Sequence, residues 1–223
     1  MKWIHHSRLT VCALMLVWLL PARAEITGSD PRSAAPESDP AADYLARLAR
    51  YRDNANFRFH DRILSPLTEA DRLAFSGLEF FDPAPDLALP ARFEPAADQS
   101  VFAMPTYDRR TLRYSPQGTL TVKLHGSPLR LKAFRRQEEG GRRNFLLVPF
   151  RDATNAGETY AGGRYIELSL PLPAVPVLDF NRAQNPLCAY DPSYACPIPP
   201  RENHLPMPIQ AGEKRYRTFT PSP

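Results

Sequence analysis

The run from Thr111 to Phe150, TLRYSPQGTLTVKLHGSPLRLKAFRRQEEGGRRNFLLVPF, decides the fold class. Leu120, Val122 and Leu124 alternate with Thr119, Thr121 and Lys123, and Leu129 and Leu131 alternate with Arg130 and Lys132. A period of two puts the apolar side chains on one face of a half-buried strand. Thr111-Leu112-Arg113-Tyr114 alternates in the same way. Ser115-Pro116-Gln117-Gly118, His125-Gly126-Ser127-Pro128 and residues 138–141 are turn-type strings between these runs. Residues 145–150 form one more strand, apolar throughout. Together the runs predict a meander of antiparallel strands.

Downstream, residues 165–170 and 175–180 add two strands. Upstream, the period becomes helical. Asp39 is suited to cap a helix and Pro40 to its first turn, and Tyr44, Leu45, Leu48 and Tyr51 follow at helical spacing. Ser65-Pro66 opens a second helix by the same logic, with Leu67, Ala70, Leu73 and Ala74 as its apolar stripe and Gly77 as its stop. The expected fold is mainly β: an antiparallel β-sandwich or partly open barrel with two N-terminal helices and long ordered loops.

The chain starts with a leader pattern. Lys2 and Arg8 make a basic start, Leu9 to Leu20 is an apolar run, and Ala22-Arg23-Ala24 fits the small-x-small cleavage rule. Residues 1–24 are therefore expected to be a signal peptide, and the mature chain to begin at Glu25 in the periplasm or outside the cell. The apolar run is shorter than the roughly 20 residues a spanning helix needs. No membrane span is expected after cleavage. Residues 25–39 have linker composition, residues 40–216 make a single domain, and residues 217–223 form a tail.

The net charge is +4, but Lys2, Arg8 and Arg23 supply three of those charges and leave with the leader. The mature chain thus lacks the concentrated basic patch that nucleic-acid binding requires. The arginines between Arg130 and Arg143 are interrupted by Glu138 and Glu139, as on a solvated hairpin face.

Cys188 and Cys196 remain after cleavage. An even pair in an exported chain reads first as a disulfide, stabilising by about 2–3 kcal/mol in the chain-entropy model. Reactive thiols and half of a metal site are the alternatives. Seven residues separate the two cysteines, against the two to four of a zinc knuckle.

Beyond the meander the chain carries residues 148–214, dense in polar, aromatic, Gly, Pro and Cys residues with little regular period. Long ordered loops are where function tends to sit. The strings are PF-x-D-x-T, G-E-T-Y-x-G-G-R-Y, L-D-F-N-x-A-x-N-P-x-C-A-Y, C-P-x-P-P-x-E-N-x-L and A-G-E-K. They resemble the bacterial family known as domain of unknown function 1684 (DUF1684). The resemblance runs from Ser65-Pro66-Leu67 and Phe75-Ser76-Gly77-Leu78 to Lys214, and the string from Leu178 to Asn203 is its most specific part. It implies a shared fold and one shared site, and supplies no substrate.

The residues themselves suggest roles. Arg164 at a strand start is able to clamp an anion, or to pair with Asp152 or Glu158 and fix the loop. Asp179 and Asn181 lie on one side of a strand end and can organise a loop or hold a water. Asn185 starts a turn, Tyr165 and Tyr190 offer flat faces with polar tips, and Glu202 and Asn203 are candidates for a buried network. No phosphate loop, dinucleotide fingerprint, nucleophile elbow or paired-His zinc motif is present, and nothing calls for a cofactor or metal.

Two function classes compete. One is an exported domain binding a small polar ligand or a peptide, with Asp152, Arg164, Tyr165, Asp179, Asn181, Asn185, Tyr190, Glu202 and Asn203 around a loop-built site. The other is a hydrolase with Cys188 as nucleophile and His204 as base. A structural or envelope-interaction protein is a third reading.

Overall fold

The structure, a computed structural model, describes residues 39–138, 141–142 and 144–216. The expected signal peptide, the linker up to residue 38 and the tail at 217–223 lie outside the described residues.

Helix α1 spans Pro40–His60, with the Asp39 carboxylate accepting from the Ala41 N–H at 3.0 Å and Pro40 in the first turn. Its Leu48 and Phe59 are buried. Helix α2, Glu69–Leu73, begins later than Ser65-Pro66. Ser65 Oγ instead closes a local turn on the Leu67 N–H, and Thr68 becomes the cap by accepting from the Asp71 N–H.

Nine strands follow among the described residues: β1 (Ala88–Pro90), β2 (Arg92–Pro95), β3 (Phe102–Pro105), β4 (Thr111–Leu124), β5 (Ser127–Glu138), β6 (Gly141–Arg142), β7 (Phe145–Phe150), β8 (Arg164–Ser169) and β9 (Val177–Asp179). All described pairings between them are antiparallel, so the fold is mainly antiparallel β. The main sheet runs β2-β4-β5-β7-β8 and does not close into a barrel; β3 also pairs with β4, and β6 with β5. Strands β1 and β9 make a separate two-stranded sheet.

The expected meander is present, with one difference. Ser115–Gly118 is not a turn, because β4 continues through it with a bulge between Pro116 and Gly118. Pro116 has no N–H to give the ladder, and a Cβ at Gly118 would collide with the Glu94 carbonyl and the Phe93 ring. The same residue types that favour a turn here kink a long strand. Leu124 pairs with Ser127, which leaves His125-Gly126 as a two-residue turn in the expected place.

Strand β7 is apolar throughout because both faces of the sheet are covered. Leu146, Val148 and Phe150 join Leu120, Leu131, Ile166, Leu178 and Phe180 in the main core. Leu147 points the other way, into a second cluster with Tyr114, Phe134, Tyr165 and Cys196. A third cluster, Phe59, Leu67, Phe75 and Tyr190, ties α1 to the late loops.

Between β5 and β7 the ladder has a break that a side chain fills. Pro149 in β7 has no N–H, so it cannot donate across to β5. The amide of Asn203 enters there, fully buried. Its Oδ1 accepts from the Lys132 N–H at 2.7 Å, and its Nδ2 donates to the Lys132 and Pro149 carbonyls at 2.9 and 2.7 Å. A short 3₁₀ turn, Arg201–Asn203, carries this amide, and the Asn203 carbonyl accepts from the Arg151 N–H at 3.1 Å. Asn203→Ala strands three buried backbone groups and is expected to cost about 3 kcal/mol in urea unfolding. Asn203→Asp, which replaces the donor with a carboxylate facing two carbonyls, should cost at least as much. Wild-type stability in Asn203→Asp would show that the amide does not bridge the strands.

Candidate functional site

The residues singled out in the sequence fold into four separate places. The first is a buried ion pair. Arg164 at the start of β8 is fully enclosed, and its Nη2 meets Asp152 Oδ2 at 2.8 Å. Nη2 also donates to the Ile209 carbonyl at 2.8 Å, while Nη1 donates to the Ala211 carbonyl. The guanidinium lies over the Phe150 ring, 5.3 Å from its centre. Burial lowers its pKa, and the Asp152 charge opposes that shift. Asp152 Oδ1 accepts from the Thr154 N–H and hydroxyl at 2.8 and 2.5 Å, which caps a 3₁₀ turn at Ala153–Ala156. Gly163, just before Arg164, has φ +93°, and a Cβ there would collide with the Phe150 carbonyl. The G-G-R-Y string therefore threads Arg164 into the interior.

The second place joins Asp179 and Asn181 at the end of β9. Asp179 accepts from the Asn181 N–H at 3.0 Å and from the Tyr44 hydroxyl of α1 at 3.1 Å. Asn181 exchanges two hydrogen bonds with the Ala84 backbone, at 2.8 and 2.7 Å. Burial, with the Asp179 charge adding to it, pushes the Tyr44 phenol up. This pair fastens α1 and the chain before β1 to the two-stranded sheet.

The third place is Glu202, Asn203 and His204. Asn203 bridges the strands as described. Glu202 is exposed and pairs with Lys132 at 2.6 Å. His204 is also exposed, with its ring against the Pro199 carbonyl at 3.2 Å. The groups that lower the pKa of the Cys188 thiol are Cys196 and Tyr160, while the His204 ring is engaged by the Pro199 carbonyl.

The fourth place brings Tyr165, Asn185 and Tyr190 together with Glu213. Glu213 Oε2 accepts from the Tyr190 hydroxyl at 2.6 Å and from the Asn185 N–H at 2.8 Å. Asn185 Nδ2 donates to the Lys214 carbonyl at 2.8 Å. Asn185 Oδ1 is buried and has no partner among the described atoms. The string A-G-E-K thus contributes its glutamate to the loop cluster.

This fourth place carries a cavity of about 320 Å³ on the second face of the main sheet. Its floor is made by residues two apart on neighbouring strands: Phe145 and Leu147 of β7, Tyr165 and Glu167 of β8, Tyr114 of β4 and Arg136 of β5. The register explains their shared face, since Leu147 stands opposite Glu167 and Tyr114 opposite Arg136. Gln184–Leu187 and Ala195–Pro197 wall it, and Arg58 reaches in from α1. An adjoining cavity of about 220 Å³ shares Arg58, Phe145, Glu167 and Gln184 and adds Arg182. Arg182 stacks on Tyr51, 4.5 Å from the ring centre.

Asp152, Arg164, Asp179, Asn181, Tyr190, Glu202 and Asn203 are absent from this lining. Arg58, Arg136, Arg182 and Glu167, which line it, went unselected in the sequence. Arg58 sits in a helix read as a packing element, and the shared face of β5, β7 and β8 requires the pairing register.

Cys188 and Cys196 carry free thiols. They are neighbours in space, with the Cys188 N–H donating to Cys196 Sγ at 3.1 Å. Cys196 is buried and lines the cavity, whereas Cys188 is half-buried.

Burial pushes the Glu213 carboxyl up to about 7, against the pull of the Tyr190 hydroxyl, the Asn185 N–H and the Arg164 charge. The folded chain holds this proton to about pH 7, the unfolded chain only to about 4.5. Its contribution to stability is therefore complete below about 4.5 and is lost as pH rises to about 7. The change is on the order of 3 kcal/mol. Glu213→Gln should flatten that slope in denaturant midpoints measured from pH 4.5 to 8. An identical pH profile in the variant would show that Glu213 does not titrate in this window.

Comparison with known proteins gives a family match, matches among solved structures, and one absence. Nothing among curated proteins is similar to this chain. A solution NMR structure of an uncharacterized protein from Haloarcula marismortui is 36% identical, covering 78% of this chain and 95% of its own, with a TM-score of 0.62. The family model described as "Protein of unknown function (DUF1684)" matches residues 73–214. That span holds the buried pair, the bridging amide and the cavity floor, and by this match the chain belongs to the DUF1684 family.

Proposed function

We propose that this protein is an exported binding domain whose ligand is small, polar and anionic, a carboxylate or the free C-terminus of a peptide. The observation that carries this is the charge of the cleft between α1 and the second face of the sheet. Three arginines from three different elements, Arg58, Arg136 and Arg182, line the two adjoining cavities with one glutamate, Glu167. Guanidinium groups on a sheet floor with aromatic walls suit a planar carboxylate. Tyr165 in the floor and Asn185 in the wall are buried and fixed by their own hydrogen bonds, to the Pro197 carbonyl and to Glu213. A floor held this rigidly loses little entropy when a ligand arrives.

Export rests on the leader pattern at residues 1–24. Intact mass of the protein recovered from the periplasm or medium should correspond to a chain starting at Glu25. Recovery only from the cytoplasm with the leader attached would rule export out.

Arg58 is exposed on α1, so changing it should not disturb the core. Arg58→Glu is expected to weaken binding of small dicarboxylates and of short peptides with free C-termini by at least tenfold, measured by calorimetry, with an unchanged melting midpoint. If neither class of probe binds the wild type, or if Arg58→Glu binds as tightly as wild type, the cleft is not an anion site.

A further inference from the structure

We infer that Cys188 and Cys196 are a redox pair that exchanges with disulfides of polypeptides, Cys188 as the attacking sulfur and Cys196 as the resolving one. This inference is independent of the ligand read from the cleft. Three observations carry it. The two thiols are adjacent, with the Cys188 N–H on Cys196 Sγ at 3.1 Å. They differ in access, since Cys188 is half-buried while Cys196 is 4% exposed and packs in the second core cluster. Large side chains around the pair are left in solvent: Leu187 next to Cys188 in the chain, Tyr194 two residues before Cys196, and Tyr107, whose N–H donates to the Cys196 carbonyl at 3.3 Å.

An exposed apolar rim around a reactive group points to a partner with apolar side chains of its own. Exchange further requires a thiolate at the accessible sulfur. The pKa of the Cys188 thiol is lowered, with Cys196 as the main cause and Tyr160 adding to it. The Cys196 thiol is pushed up in turn, chiefly by Cys188 and then by burial. These directions favour ionisation at the accessible sulfur over the buried one.

The reaction balances without any further reagent. The Cys188 thiolate attacks one sulfur of the substrate disulfide. That bond breaks, and the second substrate sulfur leaves with the electron pair and takes up a proton. Cys196 then loses its proton and attacks Cys188 Sγ. The Cys188–Cys196 bond forms, the mixed disulfide breaks, and the first substrate sulfur leaves as a thiolate to be protonated. The substrate disulfide is reduced and the protein dithiol is oxidised; the reverse direction oxidises a substrate dithiol.

The test begins with the intact wild-type protein in mixtures of reduced and oxidised glutathione, its thiols read by alkylation and mass. One concerted transition between dithiol and disulfide is expected. A pair that stays bonded in excess reduced glutathione is a permanent staple, and a pair that stays unbonded in excess oxidised glutathione is no redox couple; either result overturns the inference. With a disulfide-bridged peptide as probe, Cys196→Ser should accumulate a mixed disulfide at Cys188, while Cys188→Ser should react at least tenfold more slowly. Equal rates would overturn the assigned roles. Leu187→Ser should slow exchange with the peptide and leave exchange with oxidised glutathione unchanged. Equal effects on both probes would overturn the polypeptide class of substrate.

Discussion

A guanidinium sealed inside a protein must find a partner for its charge and for most of its N–H groups, or the fold is not stable. Arg164 sets that requirement here. Its needs are met by Asp152 and by carbonyls of Ile209 and Ala211, so the C-terminal segment has to lie across β8. Once that segment is placed, Glu213 is placed with it. The Glu213 carboxyl then holds the Asn185 N–H and the Tyr190 hydroxyl, and these fix the loop that carries Cys188 and walls the cavity. One buried charge thereby orders three stretches of chain far apart in sequence.

Prolines impose a second constraint. Twenty-five of them stand in this chain, and each removes a backbone donor. At Pro149 the cost falls in the middle of the main sheet, and Asn203 supplies an amide in compensation. At Pro116 it falls in β4, which answers with a bulge. The polar residues packed into residues 148–214 are dense for this reason. Many of them hydrogen-bond backbone that regular ladders leave unserved, which is also why a string-level reading takes them for a binding site.

The division of labour follows. Asp152, Arg164, Asp179, Asn181 and Asn203 are buried and spend their polar atoms on this chain. The chemistry available to a second molecule lies on the other face of the sheet, where Arg58, Arg136, Glu167 and Arg182 meet Tyr165 and Asn185, and beside it at the cysteine pair. Tyr165, Asn185 and the two cysteines were legible as candidates because they sit in dense strings, whereas Tyr190, read from the same strings, spends its hydroxyl on Glu213. The charged lining was not, since Arg58 is 109 positions from Glu167 and nothing local marks either one.

By itself the sequence determined the class of fold and its local punctuation. The alternation in Leu120–Leu124 and Leu129–Leu131, the Asp39-Pro40 helix start and the His125-Gly126 turn depend on neighbours in the chain, whose influence is steric and short-ranged. Tertiary structure alone decided that Ser115–Gly118 continues a strand, that Arg164 points inward, and that Asn203 bridges β5 and β7. Those outcomes turn on satisfying buried donors, acceptors and charge among segments distant in sequence, and only the folded register brings those segments together.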